Sequence, residues 1–447
     1  MKIRNLLLAT MLLALSEVSA QTNGKWTLDE CIDYAIANNI TLKKSVLSKQ
    51  SATEDVKQSK AALLPSLSAS TTQAIGWRPW INDGTSTVTN GTVATKTSKT
   101  YYNGSYGVNM NWTVWNGNQN VNTIKYNKLL EESAELDSAT AANALKEQIA
   151  QLYVQILYTY EAIDVNKESL ASSKKNEEQG EVMYEVGKLS KADLAQLQAQ
   201  VAQDDYNVVA SQVQLANYKL QLKQLLEIDG TEEFDIVVAE KDDDLALGEI
   251  PSLQAVYNAA LTQRPEIASS QLAIQSSDIN ISIAKAGWYP TLGITASVGS
   301  STSSMNDNDW GQQFKQNFDA GLGFSLNIPI FDNRSTKTAV RKAKIQYEQA
   351  QLDLIDAQKT LWKTIEGYWL DANSYQSMYK SASASVESQQ ASYDLLSEQF
   401  ELGLKNIVEL MTGKVNLLSA QQERLQSKYM TILDIQLLKF YENGEIK

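Results

Sequence analysis

Four stretches of the chain alternate apolar and polar residues with a period of two, which is typical of β-strands that carry one apolar face. The predicted strands are, in chain order, about 66–77, 101–115, 290–301 and 318–331. In the second of them, Tyr106, Val108, Met110 and Trp112 alternate with small or amide residues. Asp319 is the one charged residue within these strands. Each strand is therefore expected to have an apolar face and an uncharged polar face.

The chain has two long tracts free of proline, one between residues 80 and 250 and one after Pro329. Proline costs about 3 kcal/mol or more inside a helix, and these tracts are rich in Ala, Gln, Leu, Lys and Glu, which favour helices. A glycine interrupts each tract, Gly187 in the first and Gly403 in the second, as at helix C-termini. The tracts therefore predict two helical hairpins, about 117–228 and 333–440, whose first arms are each roughly 100 Å long.

Both returning arms carry a heptad seam, which predicts helix-on-helix packing in the manner of a coiled coil. Polar residues interrupt the seam at Asp204 and Ser211, which indicates that its flanks are solvated or covered by other helices. The apolar seam positions are Leu194, Val201, Val208, Leu215 and Leu222 in the first hairpin, and Leu404, Met411, Leu418, Leu425 and Ile432 in the second.

The two halves of the chain repeat each other. Tyr184-Glu185-Val186-Gly187 corresponds to Phe400-Glu401-Leu402-Gly403 at an offset of 216 residues, whereas the strand starts at Pro65 and Pro290 are 225 apart. The difference predicts a longer surface loop at 81–100. The first repeat is assigned to 21–228 and the second to 251–447.

An acidic linker, 229–250, joins the repeats, and 234–239 within it is a predicted short strand. Its run Asp242-Asp243-Asp244 has two interpretations, a calcium loop or a solvated run of charge. The spacing fits no known calcium loop and lacks the central glycine, which favours the solvated run.

The first twenty residues have the layout of a secretory signal peptide. Lys2 and Arg4 precede an apolar run, Leu6 to Leu15, and Val18-Ser19-Ala20 forms a small-residue cleavage site. The run is about half the roughly twenty residues that a spanning helix needs. The alternative is an N-terminal membrane anchor. The sequence favours an exported protein with residues 1–20 as its signal peptide.

Composition excludes most site chemistries. The chain has no histidine, so it offers no Ser-His-Asp triad and no imidazole metal site. One cysteine, Cys31, allows neither an internal disulfide nor a thiolate zinc cluster. A net charge of −13 argues against a nucleic-acid partner. No catalytic residue, cofactor or metal is therefore expected, and the protein is predicted not to be an enzyme.

Charge-poor strands of about ten residues with aromatic ends are typical of membrane β-barrels. Six of the nine tryptophans lie in or beside the strands: Trp77, Trp80, Trp112, Trp115, Trp288 and Trp310. Four strands cannot close a barrel, and an open sheet edge is very costly in lipid. The pattern thus predicts an oligomer. The alternative is a secreted periplasmic coiled-coil scaffold without a pore, whose sheet packs on its own helices.

The duplicated helix–strand–strand–helix half, the proline-led strands and the paired tip motifs together resemble the TolC family of outer-membrane channels. The second tip motif continues into Ile407-Val408-Glu409-Leu410. The resemblance implies a homotrimer in the outer membrane of a Gram-negative bacterium. Each chain would give four strands to a twelve-stranded β-barrel, and the hairpins would form a long periplasmic α-barrel.

The same resemblance implies a function as the passive exit channel of a tripartite efflux pump or type I secretion system, for small molecules or polypeptides. The implied partners are a periplasmic adaptor protein, an inner-membrane transporter and outer-membrane lipid. The implied periplasmic gate consists of Asp193, Phe400, Lys405, Glu409 and Thr412. The implied adaptor-docking tips are Gly187, Lys188, Gly403 and Leu404.

Three gate positions depart from the family pattern. Phe400 stands where the family often has tyrosine, so it has no hydroxyl to reach Asp193. Lys405 replaces arginine and would bind as a point charge instead of a bidentate fork. Thr412 replaces an acidic residue, which leaves Glu409 as the main carboxylate of any acidic ring at the tip.

Overall fold

A computed structural model describes residues 25–81, 84–88, 91–95, 98–229, 233–238 and 243–446. The predicted signal peptide, 1–20, lies outside the described residues. The described helices are α1 (Leu28–Asn38), α2 (Ile40–Ala61), α3 (Gln119–Glu185), α4 (Lys191–Leu226), α5 (Leu253–Gln263), α6 (Pro265–Lys285), α7 (Trp310–Gln316), α8 (Ser335–Glu401) and α9 (Ile407–Asn443). The described strands are β1 (Lys25–Trp26), β2 (Ser66–Trp77), β3 (Gly84–Val88), β4 (Gly91–Thr95), β5 (Thr100–Asn116), β6 (Asp235–Ile236), β7 (Thr291–Ser303) and β8 (Asp319–Asn327).

The two proline-free tracts form the two helical hairpins. In each hairpin a 67-residue helix, α3 or α8, leads into a shorter returning helix, α4 or α9. No residue of these four helices is a proline, so nothing in their sequence breaks the i→i−4 hydrogen-bond ladder. Within the described part of the chain, no helix combines the length and the apolarity that a membrane crossing requires.

The four predicted strands form one antiparallel sheet in the order β2-β5-β7-β8. The prediction of 318–331 for the last strand is too long, because β8 ends at Asn327. Pro329, two residues later, has no N–H to donate to a sheet ladder, so the strand stops before it. The predicted surface loop at 81–100 contains a small hairpin, β3 paired with β4, which the Thr- and Gly-rich sequence did not indicate.

The acidic linker contributes less strand than expected. Of the predicted strand at 234–239, Asp235–Ile236 forms β6 and pairs in parallel with β1, while residue 239 lies outside the described residues. Asp243 and Asp244 of the acidic run lie in a short 3₁₀ helix, Asp243–Leu247. The N-terminal segment and the linker between the repeats therefore meet in a two-stranded pair.

The described residues divide into two compact units. One consists of Met1–Leu47, Leu136–Ser269 and Leu354–Lys447, as far as these are described, and the other of Ser48–Glu135 and Ser270–Asp353. Each unit draws on both sequence repeats. The first unit is helical, and its core is built from fully buried aliphatic side chains such as Ile149, Ile156, Leu222, Leu437 and Leu438. The second holds the sheet.

Candidate channel wall and hairpin tips

The register of the sheet sorts its side chains into two faces of opposite character. Val108 lies opposite Val298, and Met110 lies opposite Ala296, so the apolar positions of neighbouring strands share one face. On this face, called the apolar face below, lie Leu67, Ala69, Ile75, Val108, Met110, Trp112, Leu292, Ile294, Ala296, Val298, Ala320, Leu322, Phe324 and Leu326. Side chains alternate strictly along a strand, so the other face takes the remaining residues.

The opposite face is polar and almost uncharged. Its members include Ser68, Ser70, Asn109, Asn111, Thr295, Ser297, Asp319, Ser325 and Asn327. Asp319 is the one carboxylate among these strand residues. A face of hydroxyls and amides suits contact with water better than contact with a protein core.

The apolar face is open in the single chain. Leu67 is 75% exposed, Phe324 72% and Leu322 65%. An exposed apolar surface of this extent marks a site that contacts lipid or another protein. The edge strands β2 and β8 each pair on one side within the described sheet, so a row of backbone groups on each is available to another strand.

The tips of the two hairpins share one backbone design. At the first tip, Gly187 donates its N–H to the Tyr184 carbonyl at 2.9 Å, and Lys188 donates to Met183 at 2.8 Å. At the second, Gly403 donates to Phe400 at 2.9 Å, and Leu404 donates to Gln399 at 2.8 Å. These pairs of bonds define a Schellman C-cap, which needs a left-handed residue after the helix.

Gly187 and Gly403 supply the left-handed conformation, with φ of +75° and +72°. Equivalent N-cap residues of the returning helices, Ser190 and Asn406, follow three residues later. Ser190 Oγ accepts from the N–H of Asp193, and Asn406 Oδ1 accepts from the N–H of Glu409. Each tip therefore closes a helix and opens the next within a few residues.

The side chains predicted to form the gate engage in bonds within their own hairpins. Asp193 accepts a hydrogen bond from Ser190 Oγ at 2.7 Å, and Lys405 forms an ion pair with Glu409 one turn away. Thr412 Oγ1 donates to the carbonyl of Val408 at 2.7 Å. The predicted docking residue Leu404 is 71% exposed.

Phe400 has a different environment from the other predicted gate residues, because it is 1% exposed. It belongs to an apolar cluster that joins the two hairpins at their tips and includes Leu197 of α4 with Ile407 and Leu410 of α9. In this chain Phe400 is therefore a packing residue between the hairpins.

A buried ion pair, which no spacing in the sequence predicts, also joins the hairpins. Lys414 of α9 contacts Asp204 of α4 and Ser173 of α3, and the side chains of Lys414 and Asp204 are 6% and 1% exposed. Burial lowers the pKa of Lys414, while its bond to Asp204 opposes that change. The signal in the sequence is Asp204, a carboxylate that interrupts the apolar heptad seam.

Tyr393 of α8 adds a second polar link between the hairpins. Its hydroxyl lies 2.6 Å from Ser172 Oγ and accepts from Asn176 Nδ2 at 3.0 Å, both on α3. Directed bonds thus connect α8 and α9 to α3 and α4, in addition to apolar packing.

Asp434 is a buried carboxylate on α9. Burial, and secondarily the charge of Asp371, raise the pKa of Asp434 to about 7. Within the described part of the chain, its Oδ2 has no hydrogen-bond partner. Among the described residues no group of three or more Cys, Asp or Glu side chains is placed to hold a metal ion.

Comparison with known proteins shows similarity along most of the chain. Outer membrane protein TolC of Vibrio cholerae serotype O1 is 22% identical over 306 residues, which cover 68% of this chain and 69% of that protein. Outer membrane efflux protein BepC of Brucella suis biovar 1 is 21% identical over 431 residues, covering 96% and 88%. Alkaline protease secretion protein AprF of Pseudomonas aeruginosa is 24% identical over 190 residues, covering 42% and 39%.

Solved structures have the same fold. The outer-membrane channel OprN superposes with a TM-score of 0.76 at 16% identity, covering 93% of this chain and 89% of that one. The CmeC channel of Campylobacter jejuni gives 0.75 at 19% identity, covering 93% and 86%. The family model described as outer membrane efflux protein matches twice, at residues 31–227 and 256–438. The chain therefore belongs to the outer membrane efflux protein family, whose members are passive channels and not enzymes.

Proposed function

We propose that three copies of this chain form one closed twelve-stranded β-barrel in the outer membrane, and that the assembly is an exit channel. The observation that carries the proposal is a four-stranded sheet with an exposed apolar face and two open edges. Pairing β8 of one copy with β2 of the next satisfies the backbone groups of both edges, which lipid cannot satisfy. Three such pairings close the ring.

The two faces of the sheet support a barrel with the apolar face on the outside and the polar face on the inside. In a closed barrel the apolar face contacts lipid, and the face of serine, threonine and asparagine residues lines a water-filled lumen. A lumen with so few charges offers a wet path and little electrostatic discrimination between solutes. The channel is then a duct whose direction and cargo are set by its partners.

Those partners are proposed to be a periplasmic adaptor protein and an inner-membrane transporter. BepC is named as an efflux protein and AprF as a protease secretion protein, and these names support both small molecules and polypeptides as cargo. The docking surface is proposed at the hairpin tips, on Gly187, Lys188, Gly403 and Leu404. Leu404 and Leu402, which are 71% and 73% exposed, would give an adaptor an apolar contact there.

The periplasmic gate is proposed at the same end of the hairpins. Asp193, Lys405, Glu409 and Thr412 are available for contacts between copies, since none of them is buried. Phe400 would contribute to the gate indirectly, because it packs in the apolar cluster and holds the second hairpin against the first. Glu409 would supply the main negative charge at the constriction.

A matched pair of arginine substitutions tests the barrel. Phe324→Arg places a charge on the apolar face, where it costs about 2–4 kcal/mol near the middle of a bilayer. Ser325→Arg places the same charge one residue further along β8, on the polar face. We expect Phe324→Arg to lose the membrane-inserted trimer in fractionation and native gels, and Ser325→Arg to retain it with altered ion selectivity in planar bilayers.

The opposite result would contradict the proposal. If Phe324→Arg inserts as well as the unmodified chain, the apolar face does not contact lipid. If both variants and the unmodified chain are recovered as soluble periplasmic protein, the scaffold alternative replaces the channel.

A further inference from the structure

The connection between β7 and β8 folds back over the sheet and places the short helix α7 on β7. Ser300 Oγ donates to the carbonyl of Phe314 at 2.7 Å, and Asn317 Nδ2 donates to the carbonyl of Ser301 at 2.7 Å. Gln313, which is 5% exposed, accepts from the N–H of Ser303 at 2.7 Å. Three side chains thus fix α7 at the end of the strands that is remote from α3 and α8.

The register of the sheet shows which face α7 covers. Tyr106 lies opposite Ser300, and two residues along Val108 lies opposite Val298, so Tyr106 belongs to the apolar face. Trp310 and Phe314 of α7 pack on the Tyr106 ring, with centroid distances of 6.0 and 5.7 Å. The helix therefore lies on the apolar face.

At this end of β7 the apolar face would otherwise present hydroxyls. Ser300 and Thr302 continue the series Leu292, Ile294, Ala296 and Val298, and both are buried, at 7% and 5% exposure. Trp310, in contrast, is 56% exposed and stacks on Phe314 at 5.1 Å. The helix therefore replaces a polar patch of the apolar face by an aromatic one.

The position of this aromatic patch matches the edge of a membrane. From Leu292 to Thr302 a strand advances about 33 Å, which is roughly 25 Å along the membrane normal at the tilt of barrel strands. The apolar band of membrane barrels is also about 25 Å tall, and aromatic residues flank it at both interfaces. Trp310 and Phe314 then lie at the outer boundary of the band.

We propose that α7 is an interfacial anchor, in which Trp310 and Phe314 contact lipid at the headgroup boundary of the outer leaflet. The inference rests on the proposed function, because that function sets which face meets lipid. The helix is held on β7 and contacts β5, the two central strands of the sheet, so copies that pair at β2 and β8 would leave it open to lipid. Continuity with the apolar face makes lipid its occupant.

Site-directed spin labelling of the reconstituted full-length protein tests the anchor. Labels at Trp310→Cys, at Leu322→Cys on the apolar face and at Ser297→Cys on the polar face are compared for collision with lipid-soluble oxygen and with a water-soluble nickel chelate. Cys31 is fully buried and its pKa is raised by burial to about 12, so it stays unlabelled in the folded protein. The Trp310 label is expected to show a ratio of oxygen to nickel collisions several-fold above that of the Ser297 label. Its ratio should lie below that of the Leu322 label, which corresponds to a shallower depth in the bilayer.

A second measurement leaves the fold of α7 intact. Trp310→Phe keeps an aromatic ring, and its fluorescence quenching by lipids brominated near the headgroup is compared with that of the unmodified chain. We expect the unmodified chain to show an additional quenched component. Equal quenching in the two proteins, or a Trp310 label with the ratio of Ser297, overturns the anchor. If the Leu322 label is also in water, the proposed membrane barrel is wrong, and the two failures are thereby distinguished.

Discussion

The tips of the two hairpins show the same backbone with different side chains. Both have a Schellman glycine and an N-cap three residues later, but Tyr184 is 42% exposed where its counterpart Phe400 is 1% exposed. The tyrosine points to solvent at the first tip, and the phenylalanine packs between the hairpins at the second. The two repeats therefore share the same turn, whereas at this position only the second tip contributes its aromatic side chain to the packing between the hairpins.

The same asymmetry continues along the returning helices. Lys414 of α9 forms the buried ion pair with Asp204, whereas Gln198, the residue 216 positions earlier, is exposed on α4. The second hairpin thus carries the groups that reach across to the first. Variants at equivalent positions of the two repeats should lower stability strongly in α8 and α9 and weakly in α3 and α4.

Removal of the tip aromatics, Phe400 and Tyr184, is expected to give the largest difference in stability between the two hairpins. Phe400→Ala should lower stability by about 3–5 kcal/mol, because it opens a cavity in a packed cluster. Tyr184→Ala, which removes a half-exposed ring, should cost less than about 1 kcal/mol. The measurement is the midpoint of thermal loss of the helical circular dichroism signal in mild detergent. Equal losses would show that both tips contribute equally to packing.

The ion pair is tested by Lys414→Gln, which gives α9 the side chain found at the equivalent position of α4. The variant leaves Asp204 buried and unpaired, which costs about 3–5 kcal/mol. The double variant Asp204→Leu with Lys414→Met replaces both charges by apolar groups and should regain most of that loss. Gln198→Lys, an exposed control, should change stability by less than about 0.5 kcal/mol. A double variant as unstable as Lys414→Gln would contradict a pairwise role.

Asp434 predicts a dependence of stability on pH. Its folded-state pKa, raised to about 7, lies above the unfolded value near 4, so the stability it contributes is present at low pH and is lost as pH rises toward 7. Asp434→Asn removes this dependence and should stabilise the protein by up to about 4 kcal/mol at pH 8, with little effect at pH 4. The check is the difference in thermal midpoint between variant and unmodified chain across that range. A difference independent of pH would show that the carboxyl does not titrate there.

The smallest difference in stability between the two hairpins is expected for substitutions of the turn glycines. A Cβ at Gly187 or Gly403 would meet no atom of the described residues within 4 Å, so alanine there costs only the left-handed conformation, about 1 kcal/mol. The two alanine variants should therefore lose equal stability and keep the trimer in the membrane. In an efflux assay both variants should show a further loss, because the proposed docking surface includes both tips. Unequal thermal midpoints would mean that the two turns are not equivalent.

The sequence allowed the strands and hairpins to be predicted because their signals are local. Alternation placed β2 at 66–77 with both ends correct, and Gly187 and Gly403 marked the hairpin turns. The end of β8 was misjudged, because alternation continues through Pro329 although the ladder cannot. The fold of α7 onto β7 depends on Ser300 and Gln313, which no periodic signal connects.

The buried site was harder to predict than the fold for a similar reason. Asp204 was visible as a polar residue in an apolar seam, but its partner Lys414 is 210 residues away and lies among many other lysines. A pairing across two hairpins cannot be read from spacing. The family resemblance predicts the gate at the hairpin tips, and it did not indicate that Phe400 would be buried in this chain.

A barrel shared between copies is tested by the native mass of the full-length protein extracted from outer membranes in mild detergent. We expect a single species of three times the mass of the processed chain, after correction for bound detergent, and ion conductance when this species is reconstituted. A monomer or dimer recovered from the soluble periplasmic fraction would contradict a barrel shared by three chains.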